Sequence, residues 1–156
     1  MSRRGSISRK EVNPDPLYNS VVVARLINYV MRDGKKSAAE KAVYGAFEVV
    51  EKKLKKGGLE AFEEVVSAVR PSVEVRSRRV GGATYQVPTD VRDERSISLA
   101  LRWLVSCAAK RSERTMTDKL AAEMMDALNN RGGAMKIKDE KRKMAEANRA
   151  FAHFRW

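Results

Sequence analysis

Arg76, Arg78, Arg79, Gly81, Gly82 and Tyr85 form the group whose residue types and spacing most directly suggest chemistry in this chain. A guanidinium is a planar fork that grips phosphate oxygens bidentately, which an ammonium cannot do. A tyrosine ring beside such a fork offers a flat face on which an unpaired base can stack. This is binding chemistry, not bond making. The groups from which catalysis is usually built are sparse. One cysteine, Cys107, and one histidine, His153, are too few for the usual zinc ligand sets. Cys107 lies in the middle of a helical pattern near its apolar side, where a thiol is a packing group and not an activated nucleophile. No Walker-type loop with its Lys-Ser/Thr ending is present, nor a dinucleotide fingerprint. Glu63-Glu64 and Asp93-Glu94 fall on helix surfaces or first turns, where carboxylates complement the helix dipole. The expectation is a non-enzyme with no cofactor, no metal and no small-molecule substrate.

The arginines and the tyrosine need an element that presents them, and the local pattern supplies one. From Ser72 to Pro88, two β-compatible runs flank Gly81-Gly82, the signature of a hairpin whose central turn residues need positive φ. A two-residue loop sets Val80 opposite Ala83, Arg79 opposite Thr84 and Arg78 opposite Tyr85. Val73 and Val75 share one face, which is expected to pack on the body, while Glu74, Arg76 and Arg78 share the other. The distal half is polar on both faces, so it is expected to leave the body as an arm roughly 30 Å long.

Everything else reads as helix. Val22, Leu26, Tyr29 and Val30 recur at helical spacing in a first helix from Leu17 or Ser20 to Met31. Ser37 and Glu40 have the form of a capping box opening a second helix, with Ala39, Val43, Phe47, Val50 and Leu54 on its apolar side. Leu59, Phe62, Val65, Val66 and Val69 mark a third, closed by Pro71. After the hairpin, helical periodicity resumes at Thr89 or Asp90, with Ile97, Leu101, Leu104 and Ala108 inward. A Thr115-to-Asp118 box starts a fifth helix, carrying Leu120, Met124 and Leu128, that stops at Asn129–Gly133. A charged last helix runs from Ala134 to Trp156, with Ile137, Met144, Ala147 and Phe151 as a thin seam. The fold class is mainly α: a bundle of about six helices with one long β-hairpin arm, at about 72–88, inserted between the third and fourth. Residues 1–16 read as a flexible basic arm set off by Asn13-Pro14-Asp15-Pro16, and 17–156 as a single domain.

Bulk properties point to the partner. The 156 residues include 32 Lys+Arg against 20 Asp+Glu, a formal net charge of +12, which is a statement about partners and solubility more than about fold. A polyanion is expected, and nucleic acid is the commonest one in a cell. The single cysteine fits a reducing compartment. No run of about 18 apolar residues is available to span a bilayer, so no membrane is expected. The basic N-terminus is not followed by the apolar stretch of a secretory signal. A duplex-bending β-ribbon protein is a competing reading, but the arm tip has no apolar wedge.

Several long motifs then occur in one order: Met31 to Lys36 (MRDGKK), Val75 to Pro88 (VRSRRVGGATYQVP), Ser98 to Leu104 (SLALRWL), and Met144 to Trp156 (MAEANRAFAHFRW). Over essentially the whole chain the sequence resembles the bacterial form of the seventh small-subunit ribosomal protein family (uS7). The resemblance implies a cytoplasmic ribosomal protein that binds the 3′ major domain of small-subunit rRNA and organises assembly of the head. It also implies neighbouring small-subunit proteins as partners, and a hairpin lying near exit-site tRNA and mRNA. Carried over by position, Arg3, Arg4, Arg9, Lys10, Lys35, Lys36, Arg76, Arg95, Arg102, Lys110, Arg111 and Arg114 are expected on the rRNA side. Arg78, Arg79, Gly81, Gly82, Tyr85, Lys143 and Arg149 are expected on the side of tRNA and mRNA.

Overall fold

The apolar stripes converge on one core. The computed structural model describes residues 12–154. Helices α1 (Val21–Val30), α2 (Lys36–Leu54) and α3 (Gly58–Val69) precede a hairpin of β1 (Val73–Val80) and β2 (Ala83–Asp90). Helices α4 (Asp93–Ala109), α5 (Met116–Leu128) and α6 (Gly133–Ala147) follow, and a 3₁₀ turn spans Arg149–Phe154. The expected mainly helical fold, with the hairpin between the third and fourth helices, is what the structure shows.

Each of the first five helices buries residues three and four apart, which keeps one side facing inward. Val23, Leu26 and Ile27 of α1, Val43, Phe47 and Val50 of α2, and Phe62 and Val65 of α3 join Leu101, Leu104, Leu120 and Met124 in one cluster. The Phe47 and Phe62 rings lie 5.3 Å apart across the α2–α3 contact. That approach explains Gly58: a Cβ there would come within 2.8 Å of the Phe47 Cβ. Helix α5 packs against α2, α3 and α4, so it is the bundle's central element.

Several boundaries differ from expectation, each for a local reason. Helix α2 begins at Lys36 with Lys35 at its N-cap and no side-chain cap, so Ser37 and Glu40 do not form a capping box. Asp33 and Gly34 both take positive φ, and this turn delivers the chain into helix before Ser37. Glu40 pairs instead with Lys36 at 3.6 Å. The second start is capped on one side of the box: the Thr115 hydroxyl accepts from the Asp118 N–H at 3.1 Å, and the Asp118 carboxylate accepts from that hydroxyl rather than from the Thr115 N–H. Strand β2 continues to Asp90, paired with Val73, so α4 starts at Asp93 and not at Thr89 or Asp90. Pro88 is tolerated inside β2 because a two-stranded ribbon consists of edge strands only. The last helix stops at Ala147, and the chain tightens into 3₁₀ from Arg149. Its apolar seam also shifts, with Ala145 buried and Met144 49% exposed.

The turn of the hairpin follows the expected register, Val80↔Ala83, Arg79↔Thr84 and Arg78↔Tyr85. Gly81 (φ +57°) and Gly82 (φ +90°) both occupy the left-handed region, as a two-residue primed turn requires. The packing face is the opposite of the expected one. Val87, paired with Arg76, is fully buried, while Val73 and Val75 are only half-buried. Opposed residues share a face, so the side that carries Glu74, Arg76 and Arg78 on β1 carries Tyr85 and Val87 on β2. Helix α6 packs on β1 and the 3₁₀ turn on β2.

Candidate nucleic-acid interface

A cationic cleft opens on the surface of the bundle. It lies between the α1–α2 turn with the start of α2 on one side, and the second half of α4 with the start of α5 on the other. Arg32, Lys35, Arg102, Arg114 and Lys119 stand around it with Asp33 as the one carboxylate, and its volume is about 670 Å³. Arg32, Lys35, Arg102 and Arg114 are exposed. The ion pairs among the described residues include none of these four. Lys119 is partly engaged, its Nζ donating to the Ala109 carbonyl at 3.3 Å, a contact that suits the negative end of α4. Lys35, Arg102 and Arg114 were legible in the sequence, and the fold brings them together across a separation of 67 to 79 positions. Arg32 and Lys119 were missed as site residues; the adjacency of Arg32 to Lys35 and Lys36 was the available signal.

Other expected contact residues are placed differently. Arg111 points inward: Nη1 lies 2.7 Å from Glu123 Oε2 and 2.8 Å from Asp126 Oδ2, and Nε donates to Glu113 at 3.1 Å. Burial opposes charging Arg111, but these three carboxylates outweigh it and raise its pKa further. Arg111 is therefore committed to holding α4 to α5, not presented to a partner. Lys110 beside it is exposed. Arg76 and Arg95 converge on Glu74 at 2.6 and 2.8 Å. Burial raises the Glu74 carboxyl, but hydrogen bonds from Arg95 and Arg76 more than offset it and hold the pKa below the usual glutamate range. One carboxylate thus partly neutralises two of the expected rRNA-side cations. Lys36 is exposed and shares its charge with Glu40. Arg3, Arg4, Arg9 and Lys10 lie outside the described residues.

On the arm, Arg79, Gly81 and Gly82 are exposed at the tip, while Arg78 is half-buried. Tyr85 is not an open stacking platform. Its ring packs on Phe154 at 5.0 Å and on Phe151 at 5.2 Å, so the 3₁₀ turn covers it. Lys143 and Arg149, exposed at the end of α6 and the start of that turn, belong to the same side of the molecule. The C-terminal aromatics could have been suspected as partners for Tyr85 from sequence only by knowing that the last helix ends early.

Cys107 is buried, as expected, and burial together with the nearby Glu123 pushes its thiol pKa up. A Cβ on Gly133 would lie 2.9 Å from its Sγ, so the thiol is a packing surface for the start of α6. Among the described residues no group of three or more His, Cys, Asp or Glu side chains is arranged to hold a metal ion. No helix among them is long and apolar enough to cross a membrane.

Comparison with known proteins identifies the family. The family model described as ribosomal protein S7p/S5e matches residues 2–149. The small ribosomal subunit proteins uS7 of Acetivibrio thermocellus and Thermoanaerobacter pseudethanolicus are each 58% identical over 156 residues, covering 100% of both chains. The protein of the same name from Afipia carboxidovorans is 53% identical with the same full coverage. With residues 2–149 matched by the family model and the whole chain covered by relatives at 53–58% identity, the chain belongs to the S7p/S5e family of ribosomal proteins.

Proposed function

We propose that this chain, as a structural and non-enzymatic constituent of the small ribosomal subunit, binds the 3′ major domain of the small-subunit rRNA and nucleates assembly of the head. In this reading the hairpin arm and the C-terminal segment contact exit-site tRNA and mRNA. The observation that carries the rRNA contact is the cleft rim, where four exposed cations have no ion-pair partner among the described residues. Assembling like charges costs folding energy through mutual repulsion, and a polyanion removes that cost when these cations take the place of its condensed counterions. Lys35, Arg102, Lys110 and Arg114 serve as rRNA-side contacts, joined by Arg32 and, through the shared surface, Lys36. Arg76 and Arg95 contribute more weakly because Glu74 holds both. The basic N-terminal residues Arg3, Arg4, Arg9 and Lys10 extend the footprint. Arg78, Arg79, Gly81, Gly82, Lys143 and Arg149 face tRNA and mRNA, with Tyr85 as an aromatic support beneath them. Recognition then rests on RNA shape and unpaired segments, with phosphates setting the register.

The test is a salt-dependent titration of the full chain against head-domain rRNA, with matched-length duplex DNA as competitor. A preference of about a thousandfold for the RNA, with affinity falling as salt rises, is the expected result. Equal binding of both, collapsing by about 200 mM salt, would leave only a non-specific polyanion binder.

A further inference from the structure

We propose that the cleft seats one unpaired nucleotide of the bound RNA, its base against the apolar floor and its phosphates on the cationic rim. The inference rests on the RNA-binding reading above. A contact to duplex backbone alone needs only a surface row of cations, because phosphates project outward from a nucleic-acid helix. Here the cations surround a concavity of about 670 Å³, within the roughly 300–1,000 Å³ of sites that engulf a small ligand.

The concavity has a local cause. Ala38, Ala39 and Ala42 on the α2 side face Ser106 and Ala109 on the α4 side. Five small side chains leave the space that leucines at these positions would fill. Tyr29 and Met116 add an aromatic and a thioether surface at its edges, both suited to a flat, polarizable base. The occupant must also match the charge. Five cations against one carboxylate, Asp33, reject a cationic or neutral apolar ligand and favour an anion with a flat apolar part. A splayed-out nucleotide has both properties, and unpaired bases are what sequence-specific RNA recognition uses.

The test fills the cleft without removing a cation. Ala42→Leu and Ser106→Leu, on opposite sides of the lining, add bulk, and Arg102→Ala serves as the charge control. Both positions are outside the fully buried core, and thermal unfolding of each variant checks the fold, so either one carries the test if the other is unstable. With head-domain rRNA as the probe, each filling variant is expected to bind about tenfold more weakly at an unchanged salt slope. Backbone-acylation footprinting is expected to show one nucleotide losing protection while its neighbours keep theirs. Arg102→Ala is expected to lower the salt slope by about one instead. Wild-type affinity and footprint in both filling variants, with Arg102→Ala still weakened, would overturn the seat while leaving the RNA-binding reading standing. Absence of any preference for this RNA over duplex DNA in the unmodified chain would remove both.

Discussion

Asp15 and Glu123 are both almost fully buried, at 2% and 1% exposure, and each has at least one partner distant in sequence. Asp15 accepts from the Leu17 and Tyr18 N–H groups, both at 3.1 Å, and from the Tyr44 hydroxyl at 2.7 Å. It anchors the chain entering α1 onto α2, so Asn13–Pro16 is more than a linker. Burial, then the hydrogen bond to Asp15, push the Tyr44 pKa up to about 12. Tyr44→Phe is expected to cost about 1–2 kcal/mol, read as a lower urea midpoint, because Asp15 loses a partner it cannot replace with water. Glu123 accepts from Arg111 and from the Ala134 N–H at 2.9 Å, joining α4, α5 and the first turn of α6. Glu123→Ala is expected to cost about 3 kcal/mol in urea unfolding, since it strips α6 of that contact and leaves Arg111 short of a carboxylate.

Glu74 supplies a pH dependence at the same scale. Its folded pKa is below the ordinary 4.5. Its contribution is therefore complete above that value and is lost as pH falls through the depressed folded pKa. Urea midpoints taken from pH 6 down to pH 3 are expected to fall less steeply in Glu74→Gln than in the unmodified chain.

At the scale of elements, the arm and the 3₁₀ turn act as one unit. Phe151 and Phe154 close over Tyr85, yet no residue of the turn itself is buried. Ring contacts of this kind contribute about 0.5–1.5 kcal/mol each beyond area burial, enough to hold six residues in place but not to lock them. Phe151→Ser with Phe154→Ser is expected to speed tryptic cleavage at Arg149 several-fold while the helical circular dichroism stays unchanged. Arg78→Ala with Arg79→Ala is also expected to leave helicity intact, because both residues belong to β1 and to no helix. Gly58 marks the opposite case. A methyl group there meets the Phe47 side chain and carbonyl, so Gly58→Ala forces α3 away from α2 despite its better helix propensity.

Over the whole molecule the charge is segregated. Residues 36–69, spanning α2 and α3, hold six lysines and six glutamates and carry no net charge. The net +12 resides entirely in the remainder of the chain. The cleft rim draws its cations from the α1–α2 turn, α4 and the entry to α5, and such a local excess of one sign attracts a polyanion before contact. Lys52→Ala with Lys53→Ala, in the last turn of α2, is expected to leave the salt slope of RNA binding unchanged. Arg32→Ala is expected to reduce it by about one.

Helix count, hairpin position, turn geometry and register were legible in the sequence because each depends on local causes: apolar spacing, paired glycines and the period of a strand. The family was legible too, from ordered motifs such as VRSRRVGGATYQVP. Tertiary structure decided which face of the hairpin is covered, because Val73 and Val75 look like a packing pair until Val87 and the early end of α6 set the opposite side against the body. It also decided which cations are presented. Arg111 and Arg114 are both arginines just beyond α4, but the three carboxylates that claim Arg111 include two from α5, brought near only by packing. Side-chain partners separated along the chain are set by how helices cross, and a local pattern carries no information about that crossing.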